Sequence, residues 1–394
     1  MATRVRPAAL DEPEIAATLA LFQHGQELTR LEVAERTGWA RVTVTSRIER
    51  LLADGLLEAY EDRSAGRGRP ATRYRLANRV GGLLVADVGA SGMLLARCDL
   101  AGAVLNTHWA PSVIGNGPEA ILRIVRNGWK GLLRDADTAP PWGVAIGLPG
   151  PVEHPAGRVV DPPIMTGWDG YDVSGTLAGW YGTAALVEND ANALAIGEAA
   201  VASEAGERLQ DLLVVKVGTG VGMGIISGGR VLRGAAGAAG DLGHTQIDRV
   251  HGDEQPLCHC GKSGCVEAYA GGWALVRDAQ ARGLDVGDLD GFLRLLAAGD
   301  PIARALTIRA GRVVGNAIAT AVSLLNPQQV ILGGRVGLAG DHLVAGVRER
   351  VYARSLPLAT RNLRIGTSTL GRHAGVRGLA AELGRKVLFA AAGT

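Results

Sequence analysis

The sequence predicts an α/β protein built from a small N-terminal winged helix-turn-helix domain and a larger α/β domain of two lobes. Three observations favour this fold class. First, residues 1–79 are rich in Arg, contain no Lys and contain few Gly before Ser64, so the composition changes near residue 80. Second, two short helices and a hairpin pattern fall within this segment. Third, from Gly81 onward strands, glycine turns and Ala-rich helices alternate in two halves, which is typical of two lobes around a cleft.

The overall composition is that of a globular protein. Hydrophobic residues make up 47% of the 394 residues, charged residues make up 20%, and the formal net charge is only +2. This balance excludes wholesale disorder and a grossly basic protein, although it allows a local basic patch. No apolar run approaches the roughly 20 residues of a membrane span, and the first fifteen residues lack the apolar core of a secretory signal. We therefore expect a cytoplasmic protein that does not bind a membrane.

The small domain is predicted to contain three helices and a hairpin. Apolar residues at helical spacing predict a helix over 10–23. Thr29 and Glu32 form a capping-box pattern, which begins a helix over 30–36 that ends at Gly38. A third helix is predicted over about 40–54. Strands over 56–60 and 72–76 then complete the pattern of a winged helix.

The third helix presents hydroxyl and guanidinium groups opposite an apolar face formed by Val44, Ile48 and Leu51. Such groups can reach phosphates and base edges in a major groove. The tip of the wing is basic and slender, which suits phosphate contact or a narrow minor groove. An ordinary helical hairpin with solvated arginines is the alternative interpretation. The candidate DNA-binding residues are Arg41, Thr43, Thr45, Ser46, Arg47, Arg67 and Arg69.

A cysteine cluster is the candidate metal site. Cys258, Cys260 and Cys265 fall within eight positions, and two glycines between them permit a tight loop. Three thiolates and one further ligand would match a structural zinc site. The fourth ligand is His244, His251 or His259, of which His259 would point away because it lies between two cysteines. The alternative is three cysteines buried in a glycine-rich loop without metal.

Carboxylates mark a second candidate site. Asp190 directly follows a predicted strand, and such a residue in a cleft can accept a hydroxyl proton as a general base. Asn189 beside it offers a donor and an acceptor, which suits a polyol. Glu267 follows the last cysteine by two residues, so a metal loop would hold its position. For Asn189 and Asp190 the alternative role is to cap the helix that begins at Ala191.

Two glycine-containing turns are candidates for phosphate contact. One turn contains Asp87 and Gly89, and the other contains Gly218, Thr219 and Gly220. The second turn lies between strands, so it disfavours a dinucleotide-binding fold, and its backbone N–H groups could instead cradle phosphate. The alternative is that each segment is simply a turn.

Taken together, these motifs resemble the ROK family (repressor, open reading frame, kinase), in its regulator branch with an N-terminal winged helix. The most specific match is Gly240-Asp-Leu-Gly-His244 followed by C-x-C-G-x-x-G-C-x-E, which ends at Glu267. The resemblance extends over essentially the whole chain, and its supporting matches are Leu148-Pro-Gly-Pro-Val152, Glu188-Asn-Asp-Ala-Asn192, Gly218-Thr-Gly220 and Asn326-Pro-x-x-Val-Ile-Leu-Gly-Gly334.

The resemblance implies an actin-like, two-lobed sugar-kinase fold after a winged helix over 1–79. The lobes would cover 80–188 and 189–372, and the C-terminal helix within 373–394 would return to the first lobe. Structural Zn²⁺ would be bound by His244, Cys258, Cys260 and Cys265. Sugar hydroxyls would contact Asn189, Asp190, Asp241, His244 and Glu267. Family kinases use the Asp at the position of Asp190 as the general base.

The departures from the kinase pattern lie on the nucleotide side. Kinases of the family carry a first phosphate loop like D-x-G-G-T-K, whereas this chain has Ala90, Ser91 and Gly92 in place of its last Gly, Thr and Lys. The missing Lys would place a charge near the transferring phosphate. Met223 stands where kinases usually have Gly, and Asp241 replaces the usual Glu. Asp87, Gly89 and the Gly218–Gly220 turn are therefore interpreted as remnants.

The resemblance predicts a sugar-responsive, DNA-binding regulator that represses carbohydrate-utilisation genes until a sugar binds between the lobes. Its partners would be operator DNA, a sugar and further copies of itself in a dimer or tetramer, without a bound nucleotide. Asp190 would then be a vestigial base. The alternative is an active ATP-dependent sugar kinase that carries a DNA-binding domain. A third possibility is regulation by a partner protein in place of a sugar.

Overall fold

The computed structural model describes residues 12–22, 26–62, 71–77, 82–134, 140–247 and 255–389. The small domain contains the three helices and the hairpin that the sequence predicts. Its elements are α1 (Pro13–Ala20), α2 (Arg30–Thr37), α3 (Arg41–Ala53), β1 (Leu57–Asp62) and β2 (Ala71–Leu76). The strands are antiparallel, with Leu57 opposite Leu76. The predicted wing tip, with Arg67 and Arg69, lies outside the described residues.

Local sequence accounts for the turn between α2 and α3. The Thr29 hydroxyl accepts the Glu32 backbone N–H at 3.2 Å, and the Glu32 carboxylate accepts the Thr29 N–H at 2.7 Å. This is the predicted capping box. Gly38 ends α2 with φ +72°, a left-handed conformation that glycine adopts without strain.

The first lobe is a five-stranded sheet with helices on its faces. Its elements are β3 (Leu83–Val88), β4 (Gly92–Cys98), β5 (Val104–Pro111), α4 (Pro118–Arg134), β6 (Gly143–Leu148), β7 (Val152–Glu153), β8 (Arg158–Val159), α5 (Val173–Tyr181) and β9 (Ala184–Asn189). The strand order is β5-β4-β3-β6-β9, in which β3, β4 and β5 are antiparallel neighbours and β3, β6 and β9 are parallel.

The second lobe repeats this sheet. Its elements are α6 (Asp190–Glu204), β10 (Leu212–Val217), β11 (Val221–Ser227), β12 (Arg230–Val231), α7 (Glu267–Ala270), α8 (Gly272–Gln280), α9 (Leu289–Ala297), α10 (Pro301–Leu325), β13 (Gln329–Gly333), α11 (Gly334–Gly337), α12 (Asp341–Arg354), α13 (Pro357–Thr360) and β14 (Arg364–Thr367). Its order, β12-β11-β10-β13-β14, places the strands in the same succession as in the first sheet.

Two helices join the lobes. Helix α6 packs on β10 and β11, the C-terminal helix α14 (Ala374–Phe389) packs on β3 and β6, and the two helices pack against each other. Small residues permit their close approach, because a Cβ on Gly378 would lie 1.8 Å from the Ala193 carbonyl oxygen. A Cβ on Gly197 would lie 2.1 Å from the Ala374 carbonyl oxygen. This crossing therefore connects the two sheets.

The small domain shares a core with the first lobe. Helix α1 packs on α14. Ile15, Leu19 and Phe22 belong to the same buried apolar cluster as Val387 and Leu388. The α14 helix therefore contacts the small domain at one side and α6 at the other.

Among the described residues, α10 is a helix long and apolar enough to cross a membrane by length and composition, and 50% of its apolar stretch is buried in the protein. Leu306, Val314 and Ile318 of this helix lie in the core of the second lobe. Helix α10 is therefore part of that core.

Candidate functional site

The predicted cysteine cluster comes together in space. Ligand atoms of His244, Cys258, Cys260 and Cys265 all lie within 4.8 Å of one another. The Cys260 and Cys265 sulfurs are 3.7 Å apart, and the Cys258 sulfur lies 3.6 Å from His244 Nδ1. Thiolates on one tetrahedral zinc, at about 2.3 Å from the metal, lie roughly 3.8 Å from each other.

The chemistry of these donors also fits a metal. Burial raises the pKa of the Cys265 thiol to about 12, so a cation beside it is what would hold the thiolate form at neutral pH. Gly261 and Gly264 have φ of +83° and +79°, which bends the loop as the sequence predicts. His259 is outside the cluster and stacks on Trp273, with ring centroids 4.1 Å apart. The other alternative ligand, His251, lies outside the described residues.

Glu267 connects this cluster to the second glycine-containing turn. Its Oε2 accepts the Val221 backbone N–H at 3.0 Å, and its Oε1 accepts the Trp273 indole N–H at 3.3 Å. A Cβ on Gly220 would lie 2.4 Å from the Glu267 Oε2. The carboxylate is buried and holds the Gly218–Gly220 turn against the cysteine loop.

Asn189 performs the capping role that was the alternative in the sequence. Its Oδ1 accepts the backbone N–H groups of Ala191 at 2.9 Å and Asn192 at 3.2 Å. Its Nδ2 donates to the Gly150 carbonyl at 3.1 Å, which ties the start of α6 to the turn after β6. The Asn189 side chain thereby fixes the position of Asp190, the first residue of α6.

Asp190 is paired with a lysine that the sequence reasoning missed. Lys216 Nζ donates to Asp190 Oδ2 at 2.7 Å. Burial disfavours the charged ammonium, yet the carboxylates of Asp190 and Asp87 hold the Lys216 pKa above the usual lysine value. Burial raises the pKa of the Asp87 carboxyl, and the repulsion of Asp190 acts in the same direction. A lysine in the apolar strand Leu-Leu-Val-Val-Lys-Val, just before Gly218, was the available signal.

The first phosphate-loop remnant ends at Gly92, which lies against the indole ring of Trp109. The turn is closed by its own backbone, since the Gly89 N–H donates to the Gly92 carbonyl at 2.8 Å. A Cβ on Gly92 would lie 2.9 Å from the Trp109 ring. A lysine at position 92 would therefore require Trp109 to move.

The segment from Gly240 to His244 packs on β11, the strand that follows the second glycine-containing turn. A Cβ on Gly240 would lie 2.0 Å from the Met223 carbonyl oxygen, and one on Gly243 would lie 2.0 Å from that of Val221. Asp241 is exposed, whereas His244 is half-buried. Met223 itself is buried in the second-lobe core.

The candidate DNA-binding residues of α3 differ in how far they are exposed. Arg41 and Ser46 are exposed, and Thr43 and Thr45 are half-buried. The Arg47 side chain is only 14% exposed, lies 2.5 Å from Glu14 and sits over the Trp39 ring, 4.2 Å from its centroid. Arg47 therefore makes its contacts within the domain, with Glu14 and Trp39. Its predicted role in DNA binding stays a prediction.

An exposed valine adds a candidate to that face. Val42, in the first turn of α3, is 81% exposed. Val42 was not among the DNA-binding residues predicted from the sequence.

Comparison with known proteins places these features in a family. The model of the ROK family matches residues 84–386. A xylose repressor of Caldicellulosiruptor bescii is 27% identical over 369 residues, which cover 89% of this chain and 90% of the repressor. A glucokinase of Halalkalibacterium halodurans is 31% identical over 251 residues, which cover 60% of this chain and 74% of the kinase. The crystal structure of a ROK family transcriptional regulator, a homologue of the Escherichia coli MLC protein, matches with a TM-score of 0.78 and 24% identity over 97% of this chain and 98% of that one. Because the family model covers most of the chain, and the regulator structure shares the whole fold, this protein belongs to the ROK family.

Proposed function

We propose that this protein is a sugar-responsive transcriptional regulator that represses carbohydrate-utilisation genes. The observation that carries this proposal is the shared core between the winged helix domain and α14. The same helix crosses α6 at Ala193, three residues after Asp190. The similarity to a xylose repressor along 89% of this chain supports the same assignment.

The sugar is proposed to bind between the lobes, near Asp190 and the Gly240–His244 segment, with Asn189 and Glu267 ordering the walls of the site. Asp241 and His244 complete the proposed set of contacts. Structural zinc on His244 and the three clustered cysteines would hold the second-lobe wall. A coupling free energy of about 1–3 kcal/mol between sugar and DNA would be enough to change operator occupancy.

The DNA-binding face is proposed to contain Arg41, Val42, Thr43, Thr45 and Ser46, together with Arg67 and Arg69 of the wing. A second copy of the chain would place a matching face on the other half of a symmetric operator. The dimer or tetramer acts in the cytoplasm, where operator DNA and sugar meet.

The residues at the positions of the kinase phosphate loops disfavour phosphoryl transfer. Gly92 stands where family kinases carry a lysine, and a side chain at this position would meet the Trp109 ring, 2.9 Å from its Cβ. We propose that the protein does not turn over ATP and that no nucleotide is a cofactor.

The proposal is tested by sugar-dependent release of DNA. A DNA ligand is selected from a random duplex library, and its affinity is measured by fluorescence anisotropy with and without D-xylose or D-glucose. We expect one sugar to weaken DNA binding about tenfold, equivalent to about 1.4 kcal/mol. Asp190→Asn is expected to bind the same DNA without responding to sugar. Sugar-dependent formation of ADP by the unaltered protein would instead assign it to the kinases.

Val42 is expected to read a thymine methyl group. An apolar side chain in the first turn of a recognition helix can pack on that methyl in the major groove. Replacing the contacted thymine by deoxyuracil should weaken binding by the unaltered protein about fivefold, about 1 kcal/mol. Val42→Ala should bind both DNAs equally, whereas Val113→Ala, an exposed valine of the first lobe, should retain the discrimination. If the affinity is unchanged when each thymine of the site in turn is replaced by deoxyuracil, the role given to Val42 is contradicted.

A further inference from the structure

Lys216 is an unusual residue for its position. It lies in β10 between Val215 and Val217, which are fully buried, and its own side chain is 20% exposed. The chain has only four lysines although Lys and Arg together number 41. A compact ammonium at this point differs from a guanidinium, whose planar fork needs a larger set of acceptors.

The partners of Lys216 come from different parts of the fold. Asp190, 2.7 Å away, begins α6 directly after the last strand of the first sheet. Asp87 lies in β3, the central strand of the same sheet, and its charge is felt by Lys216. Lys216 itself belongs to the central strand of the second sheet. The ammonium of the second sheet's central strand therefore contacts the first residue of α6 directly, and the carboxylate of the first sheet's central strand acts on it electrostatically.

The Asp87 carboxylate has little other support. Its Oδ1 is buried without a hydrogen-bond partner among the described residues. A Cβ on Gly375, in the first turn of α14, would lie 2.2 Å from Asp87 Oδ2, so the helix leaves just enough room for the carboxylate. Without Lys216, the repulsion between the Asp87 and Asp190 carboxyl groups would lose the cation that the described residues place beside Asp190.

We propose that Lys216 is a built-in counterion that fixes the Asp190 carboxylate as a hydrogen-bond acceptor for sugar. In this chain one oxygen of Asp190 is already paired, and its charge is balanced from inside the protein. Lys216 is thus a positioning residue for Asp190. The sugar part of this inference rests on the proposed function, whereas the charge balance does not.

The charge balance is tested by a cycle of variants measured by thermal unfolding of the full chain. Lys216→Met keeps a similar length and removes the charge, and it should lower Tm by about 5 °C or more because buried carboxylates lose their partner. The double variant Lys216→Met with Asp190→Asn should recover at least half of that loss. Recovery identifies an electrostatic role, since a packing role for the lysine stem would not respond to a change at Asp190. If the Tm losses of Lys216→Met and Asp190→Asn simply add in the double variant, or if neither Lys216→Met nor the double variant folds, the inference is wrong.

The positioning role is tested by calorimetric titration with D-xylose and D-glucose. Lys216→Met is expected to bind the effective sugar at least tenfold more weakly than the unaltered protein, and the double variant should stay weak although its stability returns. An unchanged sugar affinity in Lys216→Met would refute positioning. If neither sugar, nor any other in a panel, binds the unaltered protein, the proposed function fails, while the stability cycle still decides whether Lys216 is the counterion.

Discussion

Replacing Cys265 with Ser is expected to abolish metal binding and to destabilise the protein by at least about 3 kcal/mol, which lowers Tm by about 4 °C or more. Cys265 is fully buried, and its sulfur lies 3.7 Å from that of Cys260 in the four-residue cluster. A structural metal contributes its binding free energy to folding, and a serine hydroxyl is a poor zinc ligand. Metal content measured on the purified protein and thermal unfolding with and without a chelator provide the two readouts.

Cys98→Ser is the matched control. Cys98 is also a fully buried, free cysteine, but it lies in β4 of the first lobe. Burying a serine there should cost about 1–3 kcal/mol and leave the metal content unchanged. A protein that is stable and metal-free as isolated, or a Cys265→Ser variant with full metal content, would contradict the metal assignment.

A single methyl group on Gly378 is expected to cost about 3 kcal/mol of stability. Alanine normally stabilises a helix relative to glycine by about 1 kcal/mol. At position 378, however, the new Cβ would lie 1.8 Å from the Ala193 carbonyl oxygen, so α14 and α6 could no longer cross at their present separation. Because this crossing connects the lobes and α14 also contacts α1, we expect the response of DNA binding to sugar to weaken as well.

Gly131→Ala provides the comparison. Gly131 lies in α4, and a Cβ at this residue would meet no atom within 4 Å. The same substitution should therefore stabilise the protein by about 0.5–1 kcal/mol. Chemical denaturation of both variants measures the difference. Equal effects at the two glycines would show that helix propensity, and not the close approach of α14 to α6, decides the outcome.

In the small domain, local sequence patterns predict the helix caps and the buried face of α3. Thr29 and Glu32 form the capping box that their spacing predicts, and Val44 and Ile48 are buried as their helical periodicity predicts. The same periodicity could not show what Arg47 contacts. Helix α1 supplies Glu14 from 33 residues away, and this ion pair with the Trp39 contact draws the arginine inward.

Some features of the candidate site were likewise predicted from the sequence, and others needed the fold. The spacing of Cys258, Cys260 and Cys265 indicated a metal loop, and the glycines around it allow the bend. The choice among three histidines needed the fold, which brings His244 to the cluster and stacks His259 on Trp273. For Asn189 the residue type allowed capping or sugar contact, and only the position of the Ala191 N–H showed that its oxygen is occupied.

What the sequence determined by itself is the order of the elements in the small domain, the α/β character of the rest of the chain and the residue types of the cysteine loop, because caps, periodicity and short ligand spacings act over a few residues. What only the tertiary structure decided is which charges meet. Asp87, Asp190 and Lys216 are far apart along the chain and come together only when two similar sheets face the α6–α14 pair. Electrostatic pairing depends on distance and burial, and neither is defined until both lobes have folded.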